Sequence, residues 1–209
     1  MLLASLLFVS LDTVAKDLSA TYPVEQIVWA RFSFHLLVAL IIMSPQGFGR
    51  LKSNRPWLQL LRSTFMLGAN AFFFLALQSI PLVAASAVVF VGPLIVTALS
   101  VPLLGERVGP RRWAAVALGF VGAMVIIRPG TDFMHAATVL PLLAALSFSF
   151  YQICTRVWAS HDDPMTTLTY TAITGSVATT AIVPTSWITP DTVGWMAMIA
   201  AGIFGALGQ

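Results

Sequence analysis

The chain has 209 residues, of which 58% are hydrophobic and only 9% charged, with a mean hydropathy of +0.88. An ordinary soluble domain carries about 25% charged residues, so this composition excludes a water-facing globule and calls for a bilayer. The net charge of +3 does not point to nucleic acid, because the basic residues sit in short gaps between apolar runs.

A helix needs about 20 mostly apolar residues to cross a hydrocarbon core ~30 Å thick. In chain order the sequence offers eight such runs: 2–18, 24–43, 58–77, 83–104, 113–127, 137–158, 165–183 and 194–209. They are continuous and do not alternate, so they read as helices rather than barrel strands. The fifth is short, with Arg112 and Arg128 placed to snorkel at its ends. Proline and glycine punctuate the connections, as in Ser44-Pro45-Gln46-Gly47, Ile80-Pro81, Arg128-Pro129-Gly130 and Asp162-Asp163-Pro164.

Orientation follows from Lys and Arg. Arg50, Lys52 and Arg55, with Arg62 just inside the third run, then Arg107, Arg111 and Arg112, then Arg156, mark the even-numbered connections. The alternate connections hold Arg128 beside the acidic Asp132 and Asp191. The even connections and the amino terminus are therefore expected in the cytoplasm. Asp12 interrupts the first run and no basic start precedes it, which argues against a cleaved signal peptide. Both ends of the sequence read as incomplete, and a longer protein is expected.

An internal repeat is legible in the first and sixth runs. Asp12, Lys16 and Pro23 line up with Gln152, Arg156 and Pro164, with one inserted residue. This spacing puts five spans in each copy. An odd number makes the second copy enter the membrane in the opposite sense, the inverted architecture of alternating-access carriers.

Ionisable groups inside a membrane are costly and each needs a reason. Asp12 and Lys16 lie four apart on one helical face, as do Arg31 and His35 on the next helix. Asp12 and Arg31 fall at equal depth in antiparallel neighbours. They are either a charged patch that binds a zwitterionic or anionic solute, or a structural ion pair between two helices. Lys16 and Glu25 lie nearer the surface, where the structural role is favoured, and His35 reads as a packing residue. Asn70, Ser86, Tyr151 and Gln152 are candidates to line a cavity, or else to bond between helices. Pro93, in Val91-Gly92-Pro93-Leu94, is expected to break the fourth helix and to serve as a gating kink or as nothing more than a bend. Gly119 and Gly122, and Gly202, Gly205 and Gly208, put small residues on single faces for close packing. The run Ser160-His161-Asp162-Asp163 suits no zinc spacing and reads as a solvated turn. The single Cys154 reads as packing. No catalytic group, metal site or cofactor is expected.

Val91-Gly92-Pro93-Leu94 through Leu103-Leu104-Gly105-Glu106-Arg107, then Arg112-Trp113, Gly119-Phe120-Val121-Gly122 and Arg128-Pro129-Gly130, resembles the EamA-type branch of the drug/metabolite transporter superfamily. The opening Asp12 to Lys16, Tyr22-Pro23-Val24-Glu25-Gln26-Ile27 and Arg31 resembles the same branch. The resemblance implies an all-α polytopic bundle of ten helices in two inverted five-helix halves. About eight of the ten fall in this sequence, divided as residues 1–130 and an incomplete 131–209. It also implies transport of small metabolites across the cytoplasmic membrane, of amino-acid, nucleotide or vitamin type, by a chain without enzymatic activity. A lipid-carrier flippase of the same superfamily is the alternative, and an intramembrane enzyme is the alternative of another class. The expected partners are a small solute and the bilayer; monomer and homodimer stay open.

Overall fold

A computed structural model describes residues 2–44, 53, 55–106, 108–127, 139–158 and 162–208 of the protein. Arg50, Lys52, Arg107, Arg128, Asp132, Ser160 and His161, used above, lie outside them, as do Pro45 to Gly47, Pro129 and Gly130. Nine α-helices are described: α1 Leu2–Leu18, α2 Val24–Met43, α3 Pro56–Ser79, α4 Leu82–Val89, α5 Gly92–Leu104, α6 Pro110–Ile127, α7 Val139–Trp158, α8 Pro164–Thr180 and α9 Thr192–Gly208. A single 3₁₀ turn, Val183–Thr185, lies between α8 and α9.

Prolines account for most boundaries. Pro56, Pro110 and Pro164 stand in first turns, where the missing N–H would have had no partner. Asp163 caps α8 through a 2.8 Å bond from the Met165 N–H to its carboxylate. The fourth span is continuous in length, Leu82–Leu104, but α4 ends before Val91 and Pro93 enters the first turn of α5. The break comes where the sequence placed it. Gly105 closes α5 in the left-handed region at φ 66°, which glycine adopts without strain.

Among the described residues, four spans are long and apolar enough to cross a membrane: α2, α3, α4–α5 together, and α7 over Val139–Val157. The others pack on them. α1, α8 and α9, at 17 residues each, run about 25 Å, one turn short of the hydrocarbon core. Large apolar side chains such as Leu6, Ile41, Val83, Leu118 and Val177 point outward, as a lipid-facing surface requires.

The bundle is an inverted repeat. α1 packs on α9 and α7 on α3; α2 packs on α9 and α8 on α3; α2 and α8 pack on each other. Exchanging the first three spans for the sixth to eighth maps this set onto itself. The senses are opposite, too. Lys16 near the end of α1 bonds carbonyls at the end of α3, so these two run parallel. Arg62 near the start of α3 bonds Thr155 near the end of α7, so α7 runs against both.

α2 is the central strut, with Ile27, Val28, Ala30 and Phe32 buried on its several faces. Glycines let its neighbours approach. A Cβ at Gly175 of α8 would fall 2.2 Å from the Phe32 ring, and one at Gly202 of α9 would fall 2.2 Å from Phe34 Cβ. Gly122, by contrast, faces open space, so the packing role expected of it is not realised among the described residues. Gly202→Ala must displace backbone and is expected to cost about 1–3 kcal/mol. Thermal unfolding of the detergent-purified protein should fall by several degrees, whereas Gly122→Ala should leave it unchanged.

Candidate functional site

A cavity of about 190 Å³ lies between α1, α2, α3, α4 and α7. Phe8, Leu11 and Asp12 reach it from α1, Arg31 from α2, Met66, Ala69, Asn70 and Phe73 from α3, and Phe148 from α7. A second lobe of about 380 Å³ shares Phe8, Met66 and Phe148 with the first. It continues past Tyr151, Gln152 and Thr155 to Arg156. The two lobes adjoin at these shared residues, one with the charged pair Asp12 and Arg31 and the other with hydroxyl and amide groups beyond the aromatic rings.

Arg31 dominates the charged end. It is 1% exposed, yet its Nε and Nη1 have no hydrogen-bond partner among the described residues. A buried cation ordinarily finds a carboxylate or several carbonyls, because its desolvation costs several kcal/mol. Asp12 lines the same cavity, but no ion pair within 4.0 Å joins the two among the described residues. The space for the guanidinium comes from Gly205 of α9, where a Cβ would lie 3.1 Å from Nε. Asn70 is partly committed, donating from Nδ2 to the Met66 carbonyl at 2.7 Å.

The sequence-predicted candidates therefore divide. Asp12, Arg31, Asn70, Tyr151 and Gln152 come together along the two lobes. Lys16 does not reach them; its ammonium donates to the Leu77 and Ile80 carbonyls and ties α1 to the end of α3. Ser86 lies in α4 away from the lining, and Pro93 acts through the α4–α5 break. His35 is buried one turn beyond Arg31 with Nδ1 unpartnered, outside the lining residues. Glu25 accepts from Ser186 at 2.6 Å, a structural tie to the second half.

Polar contacts join the two halves toward both ends of the bundle. At the α1–α2 end, Gln26 donates to the Ile188 carbonyl at 2.8 Å and accepts from the Ile188 N–H at 3.0 Å, while Tyr22 donates to Asp191 at 3.1 Å. At the α3 start, Arg62 is buried at 5% exposure. It donates to Thr155 Oγ1 at 2.6 Å and to the Tyr151 hydroxyl at 2.7 Å, and lies 4.5 Å from the centre of the Tyr151 ring. Gln59 beside it donates to Asp162 at 2.8 Å and to Thr167 at 3.2 Å. The sequence reading treated Arg62 as an orientation signal and Asp162 as a solvated turn. In the structure both belong to this latch.

The signal for Arg62 was present: an arginine inside an apolar run asks the same question as Arg31. Arg62→Met would remove the donor from the Tyr151 and Thr155 hydroxyls, the latter keeping its bond to the Tyr151 carbonyl, and is expected to cost about 1–3 kcal/mol. Arg156, in a half-exposed 2.7 Å pair with Glu106, should cost under about 1 kcal/mol on change to Ala. Unfolding of the two variants in detergent, followed by tryptophan fluorescence, checks the contrast.

Comparisons with known proteins agree with this architecture. A riboflavin transporter of Rhizobium johnstonii is 30% identical over all of this chain and 70% of its own length. An S-adenosylmethionine uptake transporter of Rickettsia prowazekii is 26% identical over 93% of this chain and 66% of its own. A pseudopaline exporter of Pseudomonas aeruginosa is 26% identical over 99% and 73%. The chain thus spans roughly two thirds to three quarters of these relatives. A crystal structure 20% identical superposes over 99% of this chain and 75% of its own with a TM-score of 0.74, which shows a shared fold. The family model described as the EamA-like transporter family matches residues 1–128, and the chain belongs to that family.

Proposed function

We propose that the two lobes are the substrate site of a secondary transporter for small polar metabolites, with Asp12 and Arg31 holding the charged groups of the solute. The observation that carries this reading is the guanidinium of Arg31, buried at the head of a cavity with two nitrogens unpartnered. A purely structural arginine would be expected to have acceptors, as Arg62 has. The relatives are named for riboflavin, S-adenosylmethionine and pseudopaline, and the first two are polar solutes of the size that two adjoining lobes suit.

The two halves, residues 1–130 and 131–209, rock about the intervening site and expose it to either side in turn. The α3 start and the amino terminus face the cytoplasm, supported by Arg55, Arg62, Arg111 and Arg112 at that face. The membrane is then the cytoplasmic membrane, and the chain performs no covalent chemistry. The Gln26–Ile188 contacts close the outer face and the Arg62 cluster the inner one; both are made in this structure, and alternating access opens one while the other stays made.

Flux of a radiolabelled panel, riboflavin and S-adenosylmethionine included, in proteoliposomes of the full-length protein tests the reading. Saturable flux of one compound is expected, reduced at least about tenfold in Asp12→Asn and in Arg31→Gln with membrane insertion intact. The exchange Asp12→Arg with Arg31→Asp should not restore it, because the solute's charges would meet the wrong partners. Full restoration would mark a structural pair. Flux of no soluble compound would instead turn the assignment to a lipid-linked substrate.

A further inference from the structure

Resting on the carrier reading, we infer that Tyr151 and Thr155 couple the second lobe to the inner contacts. Their hydroxyls accept from Arg62 while those contacts are made, and from the solute's N–H or O–H groups when the contacts open. Both residues line the lobe of about 380 Å³, whereas Arg62 lines neither lobe and reaches them from α3. Its Nε donates to Thr155 Oγ1 at 2.6 Å and its Nη2 to the Tyr151 hydroxyl at 2.7 Å. The guanidinium carbon lies 4.5 Å from the centre of the Tyr151 ring. The same two oxygens are therefore wall groups of the lobe and half of the contact that joins α3 to α7.

Sharing sets the sign of the coupling. Thr155 already gives its own hydrogen to the Tyr151 carbonyl at 2.8 Å, so toward the lobe it can only accept. A solute N–H or O–H presents a positive end to an oxygen whose lone pairs are already drawn to a buried cation, and in a low dielectric the two donors oppose each other. Occupancy by a donor-bearing solute thus weakens the Arg62 contact, and the contact, when made, weakens binding by the same factor. The displaced guanidinium is not stranded, because Gln59 Oε1 and the Thr167 carbonyl each lie 3.4 Å from Nη1. The first lobe is connected as well. Phe148 lines both lobes and stacks on Tyr151, with ring centres 5.7 Å apart and planes 18° from parallel.

Cys154 supplies the readout. It stands just before Thr155 on α7, is buried, and lines neither lobe, so a solute held there does not shield it. The full-length protein with Cys154 as its only cysteine, in vesicles with the cytoplasmic face outward, is alkylated by a membrane-impermeant maleimide. Riboflavin and S-adenosylmethionine, both bearing N–H and O–H donors, are the probes, and their binding is read separately as thermal protection. A probe that binds is expected to speed alkylation at least about threefold. Tyr151→Phe keeps the ring and its stack on Phe148 but removes one shared oxygen, and Thr155→Val removes the other. Each variant is expected to alkylate about threefold faster without solute and to lose most of the solute's effect. A merely structural cluster would give variants that melt lower while the solute's effect stands, which would overturn the inference. So would a probe that binds without speeding alkylation. Variants whose rate without solute matches the native one would overturn it too, a result readable even where neither probe binds. Flux with alkylation indifferent to solute would sink the coupling and leave the carrier standing; flux of nothing would sink both.

Discussion

The structure depends on keeping one guanidinium out of water without giving it a permanent partner. Arg31 sits on the central strut, and α8, α9 and α3 are packed round that strut so that the residue is 1% exposed. Gly205 lets the α9 backbone lie beside the guanidinium, and the cavity remains on its other side. Glycines also let α8 and α9 lie close against the strut at Phe32 and Phe34.

The two closures use different chemistry. At the α1–α2 end Gln26 grips a main-chain N–H and carbonyl, an interaction that needs a particular backbone geometry and no particular side chain at Ile188. At the α3 start a cation gathers neutral hydroxyls around an aromatic ring. Among the described residues, Gln26 and Arg62 are met by main-chain groups and hydroxyls rather than by a carboxylate–guanidinium pair, whose desolvation would make it slow to open and reform. Carboxylates take part at both ends, Asp191 accepting from Tyr22 and Asp162 from Gln59.

Much of the fold was legible because the membrane leaves few options. Apolar run length gave α1 and α2 with the bounds the structure shows, and Val91-Gly92-Pro93 gave the break in the fourth span. The alignment of Asp12 and Lys16 with Gln152 and Arg156 gave the inverted repeat. The site was legible in part. Depth arithmetic brought Asp12 and Arg31 together, but spacing along a helix cannot say which carbonyls lie across the gap. Lys16 was therefore a candidate until the ends of α1 and α3 were seen to meet. Arg62 was hidden for a related reason: a charge near a span's end counts as an orientation signal until its partners on α7 are known. The spacing Gly202, Gly205 announced close approach, and only the fold shows that one glycine admits Phe34 and the other Arg31.

The self-mapping pattern of helix contacts has a mechanical consequence. α2 and α8 are exchanged for each other by the symmetry, so any axis relating the halves must pass between them, near the 2.9 Å contact of the Ser33 and Ser176 hydroxyls. If one half turns against the other about a point on that axis, displacement grows with lever arm, smallest at these two serines and largest at the Gln26 and Arg62 contacts toward the ends. A few degrees of rotation can then break one set of end contacts and spare the other while the central hydroxyl pair stays in register. Small polar side chains at this fulcrum fit that duty, since they hold two helices together without a bulky interlock that turning would have to unpack.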